Sequence, residues 1–264
     1  KMIHNGIEYV EMQLIASIYK LLIESNNYSN QNIAQLFKDW NNNLNSYLID
    51  ISTKKILEKI DDEYLLEKID DIADDNGTGR WMLNYGIELG CSLSMLSSAL
   101  NTRFISKLKS ERNELNKNIK RISLEYKVDI NSLINAYNFC RLINYIQAFC
   151  LINAANKNYN WDISISKALN VWSNGSIIKS SLINDLYSNY SVENILHDKK
   201  IINDLNESKS DLINVISLSL KNDISIPCFN DALNYFNSIS NNSLSTNMIQ
   251  AQRNFFGSHS IKFK

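Results

Sequence analysis

Apolar positions recur at helical spacing along almost the whole chain. In KMIHNGIEYVEMQLIASIYKLLIE, Ile3, Ile7, Leu14, Ile18 and Leu21 share one side of a 3.6-residue period and predict a helix over 1–25. A polar turn at Asn26–Asn30 leads to a helix over Gln31–Trp40, with Ile33, Leu36, Phe37 and Trp40 inward. The same spacing predicts a segment over Leu44–Ile60 (Leu48, Ile51, Ile56 and Ile60 inward), a short helix over Tyr64–Ala73 and another over Met82–Leu89. Gly90 ends the last of these, and Ser92 or Ser94 begins a long helix running to about Arg121, with Leu96, Leu100, Phe104 and Leu108 facing the core. Further helices are predicted over Leu133–Ala155, Ile163–Trp172, Ser176–Leu186, Val192–Leu196 and Ile201–Leu220. Pro227 suits the first position of a helix to Phe236, and Thr246 or Asn247 caps a last helix that ends at Gly257. No segment alternates with period two, so the predicted fold class is all-α.

A repeat is visible within this pattern. QLFKDWNNNLNSYLI around Trp40 resembles KALNVWSNGSIIKSSLI around Trp172, and each follows a long apolar helix and a polar turn with a tyrosine, Tyr28 or Tyr159. That predicts one helical domain over 1–245 built from two related halves, about 1–125 and 126–245, followed by a helix and tail over 246–264. A chain of 264 residues can bury roughly 70–75% of its unfolded surface, enough for such a domain.

Composition narrows the function classes. A formal net charge of −1 argues against nucleic-acid binding but leaves room for a small anionic substrate. The compact basic run Arg103, Lys107, Lys109, Arg112, Lys117, Lys120 and Arg121 is interleaved with Glu111 and Glu114 and reads as helix surface, Arg103 apart. Cys91, Cys140, Cys150 and Cys228 form no CxxC pair and suit a reducing, cytoplasmic setting. Three histidines without ligand spacing predict no metal. No run of eighteen apolar residues and no signal-peptide pattern occurs. Asparagine is abundant, 39 in all, at a cost in helix propensity that packing must offset. Lys1 lies already inside a helical pattern without a cap, which predicts protein upstream of it.

Candidate chemistry begins on the first helix. Lys1, His4, Asn5, Glu8 and Tyr9 fall within an arc of roughly 140° opposite the apolar stripe. Five different chemistries over two turns make either a site or an unusual polar helix end. NGTGR (Asn76–Arg80) before a helix can point N–H groups and the Thr78 hydroxyl at an anion, or be a plain turn. Arg103 lies one position from a buried stripe and either snorkels outward or forks onto an anion. The tail IQAQRNFFGSHSIKFK, with Arg253 and His259, either frays or docks on another chain or a cleft.

KMIHNGIEY, NGTGRW, Arg103 within FISKLKSER, WSNGSIIKS and QAQRNFFGSH, in that order, resemble the C-terminal helical domain of the decarboxylating 6-phosphogluconate dehydrogenase family, over nearly the whole chain. The resemblance implies a Rossmann domain upstream of Lys1, NADP bound mainly by that missing domain, and oxidation of 6-phospho-D-gluconate at C3 with decarboxylation to ribulose 5-phosphate. It implies Lys1 as general base and acid, which requires a lysine neutral part of the time, and Glu8 as a second acid. His4 and Asn5 would hold hydroxyls and carboxylate. Tyr9, Thr78, Arg103 and Arg253 would contact the phosphate. Arg253 and His259 would arrive from the partner of a homodimer to complete its site.

Two departures stand out. Asn76 replaces the family's usual lysine, a loss worth about 1–3 kcal/mol of phosphate binding unless Arg80 swings in. Ile261 replaces the usual tail tyrosine, and the glycine-rich extension often seen after it is missing. Two other readings compete: a related β-hydroxyacid dehydrogenase with another substrate, and a non-catalytic helical dimerisation module. Arg103 with Arg253 disfavours the first; Lys1, His4, Asn5 and Glu8 together disfavour the second.

Overall fold

A computed structural model describes residues 1–121, 126–189 and 195–263. The chain runs α1 (Met2–Glu24), α2 (Asn30–Leu44), α3 (Tyr47–Leu57), β1 (Lys59–Ile60), β2 (Glu63–Tyr64), α4 (Leu65–Lys68), α5 (Thr78–Glu88), α6 (Ser94–Ser106) and α7 (Lys109–Asn118). It continues through α8 (Ile130–Tyr159), α9 (Ile165–Ser173), α10 (Ser181–Asn189), a 3-10 turn (Ile195–His197), α11 (Lys199–Lys221), α12 (Pro227–Ile239) and α13 (Thr246–Gly257). The predicted helix over Val192–Leu196 lies mostly outside the described residues.

The core is organised around α8. Ala136, Tyr137, Phe139, Cys140, Ile143, Tyr145, Ile146, Ala148 and Phe149 are all fully buried, so this helix is covered on every side. It packs against α1, α11 and α12, and α1 in turn packs on α5 and α6. Asp129 caps the start of α8 by accepting from the Asn131 and Ser132 amides. Pro227 stands at the start of α12, as its missing N–H predicts. Part of the asparagine bias has a local cause. Asn26, Asn45 and Asn160 hold left-handed conformations at the ends of α1, α2 and α8, where asparagine substitutes for glycine.

Several expectations are corrected. Leu44–Ile60 is not one segment: Asn45 ends α2, and Ile60 lies half-exposed in a two-stranded antiparallel hairpin pairing Lys59 with Tyr64. The Tyr64–Ala73 helix shrinks to the single turn α4. Ser176–Ser180 precede α10 as turn rather than helix.

The long helix to Arg121 breaks into α6 and α7. The Lys107 and Leu108 amides fall back onto the Phe104 and Ile105 carbonyls, tightening the last turn of α6. The Ser106 hydroxyl donates to the Arg103 carbonyl and accepts the Ala73 amide, tying this end to the 69–77 segment. Basic residues expected at an unpartnered helix surface instead meet that acidic segment. Arg112 forks onto Asp71 at 2.6 and 3.0 Å and pulls its carboxyl down to about 2, Lys107 reaches Asp74 at 2.8 Å, and Lys109 pairs with Asp70.

Phe104 and Leu108 face solvent, whereas Arg103 is only 7% exposed. The buried stripe of α6 runs Leu96, Ala99, Leu100, Arg103, taking the three-residue step where the sequence reading took four.

Candidate functional site

The first two turns of α1, the 75–78 turn and α6 converge because two glycines let them. A Cβ on Gly6 would stand 2.0 Å from the Met82 sulfur, and one on Gly79 would stand 2.9 Å from two carbons of the Tyr9 ring. Any side chain at either position would have to displace Met82 or the Tyr9 ring. Gly77, at φ +86°, makes the reversal that starts α5.

Six of the nine candidate residues meet on this face. His4 Nδ1 lies 3.0 Å from the Asn5 side-chain oxygen and 3.9 Å from the Glu8 carboxylate, and its ring meets the edge of Trp172 from α9. Asn5 Nδ2 donates to the Thr78 hydroxyl at 3.0 Å. The Thr78 hydroxyl donates to Asn76 Oδ1 at 2.7 Å, and the Tyr9 hydroxyl donates to that same oxygen at 3.1 Å. The Arg103 guanidinium lies over the Tyr9 ring, 3.9 Å from its centroid.

Arg103 neither snorkels outward nor finds a carboxylate. Its nitrogens reach only the Ala99 carbonyl, at 3.4 Å, and the Met12 sulfur, at 3.9 Å; no ion pair to it occurs among the described residues. Burial pulls its pKa down, resisted by Tyr9, Asp75, Cys228 and Glu8, yet a guanidinium keeps its charge throughout. Burial likewise lifts the Glu8 carboxyl above the ordinary glutamate range, against the pull of His4 and Arg103.

Lys1, Arg253 and His259 stand apart. Lys1 is exposed at the start of α1, its carbonyl accepting the Asn5 amide at 3.0 Å. Seven residues of helix bring it back to within about 20° of Glu8 around the axis. Arg253 and His259 belong to α13 and the tail, where no residue of α13 is buried and Phe255 and Phe263 are at least 90% exposed. Their contacts stay local: Arg253 donates to Gln250, and the His259 ring folds back onto Gly257, where a Cβ would stand 2.8 Å from it. A cavity of about 440 Å³ lies elsewhere, among Asn135, Arg141, Asp185 and Asp204, and none of the nine lines it. The six form a shelf on α1, α5 and α6.

The whole chain, residues 1–264, matches the family described as 6-phosphogluconate dehydrogenase, C-terminal domain. The chain belongs to that family.

The decarboxylating 6-phosphogluconate dehydrogenase of Staphylococcus epidermidis is 35% identical over 275 residues, covering 100% of this chain. That of Lactococcus lactis subsp. cremoris is 34% identical over 274 residues, covering 99%. The chain spans 58% of the length of each of these relatives. A solved structure of Plasmodium falciparum 6-phosphogluconate dehydrogenase, described in its apo form and in complexes with NADP+ and with 6-phosphogluconate, matches at a TM-score of 0.95 and 32% identity. It covers 100% of this chain and 59% of that one. The all-α architecture expected from the pattern is that of the 6-phosphogluconate dehydrogenase C-terminal fold. No helix among the described residues is long and apolar enough to cross a membrane.

Sequence reasoning missed two parts of this 6-phosphogluconate dehydrogenase domain. In the sequence Asn76 shows only as a lost cation, yet its side-chain oxygen is the node joining Tyr9 to Thr78. Below the shelf, Arg141 from α8 pairs with Glu11 at 3.1 Å and donates to Ser180 at 2.7 Å, Tyr137 donates to Glu11 at 3.0 Å, and Asn144 donates to the Ile7 carbonyl at 3.1 Å. An arginine inside the apolar run FCRLINYIQAF was the available signal, since such a charge needs a buried partner.

Proposed function

We propose that this chain is the substrate-binding and dimerisation part of an enzyme that converts 6-phospho-D-gluconate to ribulose 5-phosphate and CO2. The observation that carries this reading is Arg103, a buried cation with no ion pair among the described residues, stacked on the ring of Tyr9, whose hydroxyl is joined to that of Thr78 through Asn76. Burying an unpaired charge is costly, and a site that receives a phosphate removes the cost when filled. The described residues hold one two-stranded hairpin and no parallel sheet, and so no dinucleotide cradle of the doubly wound kind among them. NADP belongs on this reading to a further domain and supplies the hydride acceptor.

Lys1 takes the C3 hydroxyl proton as hydride leaves C3. The ketone then lies β to the carboxylate, so when the C1–C2 bond breaks the electron pair flows to the C3 oxygen. Lys1 returns its proton to that oxygen as CO2 departs. Glu8, whose burial favours the protonated carboxyl, delivers a proton to the terminal carbon of the enediol while Lys1 takes back the proton from the C3 oxygen, which leaves the ketone of ribulose 5-phosphate. His4 and Asn5 orient the hydroxyls and carboxylate between them.

The exposed tail supports a homodimer in which Arg253 and His259 complete the partner's site, since an α13 with no buried residue contributes nothing to packing in its own chain. The free thiols suit a cytoplasmic setting. Two related halves within 1–245 are supported by element order: the shift of about 132 residues that lays Trp40 on Trp172 also lays α1 on α8, α3 on α10 and α6 on α12.

One experiment tests the site and the exchange together, in the full-length protein. Arg103→Met is expected to raise KM for 6-phosphogluconate at least about tenfold, the loss of one charge-assisted contact. Mixed Arg103→Met and Arg253→Met protomers are expected to regain one working site per hybrid dimer, because one site then keeps both arginines. An unchanged KM in the first variant overturns the phosphate assignment. Mixtures no more active than their parents overturn the exchange.

A further inference from the structure

Three donors converge on one oxygen at the hydroxyl end of Tyr9, the ring on which the Arg103 guanidinium stacks. Asn76 Oδ1 accepts from the Tyr9 hydroxyl at 3.1 Å, the Thr78 hydroxyl at 2.7 Å and the Thr78 amide at 3.2 Å. Both hydroxyls are also supplied from behind. The Asn76 amide donates to the Tyr9 oxygen at 3.2 Å, and Asn5 Nδ2 donates to the Thr78 oxygen at 3.0 Å, so each hydroxyl proton is directed at Asn76 Oδ1. The turn that carries Asn76 is latched by Asp75. Asp75 Oδ1 accepts from the Gly77 amide at 2.9 Å and from Arg80 Nε at 3.0 Å, with an Asp75 side chain only 5% exposed. Arg80 is thereby engaged by Asp75, and its swing toward the phosphate would first have to break that pair.

An oxygen held by two hydroxyls and a backbone N–H, one hydroxyl belonging to a ring that carries a stacked guanidinium, has hydrogen-bonding surroundings suited to a phosphate oxygen. We propose that Asn76 is a specificity-determining residue that occupies the anion subsite from within: its side-chain oxygen stands in for one phosphate oxygen, and an incoming phosphomonoester must displace it to reach Tyr9 and Thr78. The inference rests on the reading of this shelf as a phosphate site. It goes beyond that reading by assigning Asn76 an opposing role rather than a missing one. Hydrogen bonds to the phosphate replace hydrogen bonds to Asn76, so the exchange adds few bonds, and net affinity comes from charge attraction to the cations present. A cation at this position would add to binding, a shorter neutral residue would only free the donors, and a carboxylate would hold them more firmly.

The test is calorimetric titration with inorganic phosphate of the full-length protein and of its Asn76→Ala, Asn76→Asp and Arg103→Ala variants. Asn76→Ala is expected to bind phosphate about fivefold tighter, the worth of one hydrogen bond no longer surrendered. Asn76→Asp keeps an acceptor for the turn, so it guards against simple loss of the loop, and it is expected to bind at least about tenfold weaker. Equal or weaker binding by Asn76→Ala, or undiminished binding by Asn76→Asp, overturns the inference. If Arg103→Ala still abolishes binding in that case, the phosphate site itself stands. Absence of phosphate binding by every form overturns both.

Discussion

Glu8 and Glu11 lie one turn apart on α1 and mark two regions of opposite character. Around Glu11 every charge is answered: Arg141 pairs with it at 3.1 Å, Tyr137 donates to its other oxygen at 3.0 Å, and Arg141 spends a further nitrogen on Ser180. Both side chains of the pair are at most 4% exposed. Around Glu8 the ledger stays open. Its nearest basic group is the His4 ring at 3.9 Å, and Arg103 nearby is buried without a carboxylate. One helix thus carries a closed polar cluster that fixes its rotation and depth against α8, and a cluster with hydrogen-bonding capacity left over. Asn144 reinforces the first by gripping the Ile7 carbonyl, directly behind Glu8. The closed region holds the open one in place.

The largest expected effect breaks the closed region. Arg141→Met leaves Glu11 buried with Tyr137 as its remaining partner, and denaturant unfolding is expected to show a loss of about 3–5 kcal/mol. Replacing both partners, Glu11→Leu with Arg141→Met, is expected to recover most of that loss, because two apolar groups carry no stranded charge. A cost below about 1 kcal/mol for Arg141→Met would mean that the pair does not fix α1, and the comparison would fail.

A smaller effect is expected at Arg103, although it is nearly as buried as Arg141. With no carboxylate to strand, Arg103→Met is expected to change stability by no more than about 1 kcal/mol, the lost stacking on Tyr9 being offset by removal of a buried charge. Unfolding free energies of the two methionine variants, measured side by side, sharpen the contrast. A loss at Arg103 equal to that at Arg141 would reveal a structural partner and remove the reason to see an anion receiver there.

What the sequence makes legible follows the same division. The stripe Ile7, Leu14, Ile18 and Leu21 is buried as its period predicts, and the polar arc above it is legible because its members lie close in sequence. Glu11 was not legible: it precedes a core stripe by position, and only Arg141, far along the chain, shows why a carboxylate is tolerated there. The break between α6 and α7 was hidden for a related reason, since its determinants are Asp70, Asp71 and Ala73 rather than a glycine or proline at the break. At Arg103, three- and four-residue steps both continue a helical stripe, and periodicity alone does not choose between burying Arg103 and burying Phe104. The covering Tyr9 ring decides it, and Gly79 makes room for that ring.

The smallest expected effect is the pH dependence carried by Glu8. Burial raises its folded-state pKa above the ordinary value of 4.5, so the folded protein holds this proton to higher pH than the unfolded chain does. The stabilisation from the protonated carboxyl is therefore fully present below pH 4.5 and is lost as pH rises through the folded value. Glu8→Gln keeps an uncharged side chain of the same shape at every pH. It is expected to match the parent in acid and to exceed it in stability above that window, with the gap opening as pH rises and then levelling. Glu11, with its full set of partners, provides the opposing case: Glu11→Gln replaces a carboxylate that Arg141 requires and is expected to lower stability at neutral pH. Unfolding curves for the three proteins from acid to neutral pH check both signs at once. A stabilising Glu11→Gln, or a Glu8→Gln that weakens the fold at neutral pH, would mean that the two carboxylates do not differ in the way their surroundings indicate.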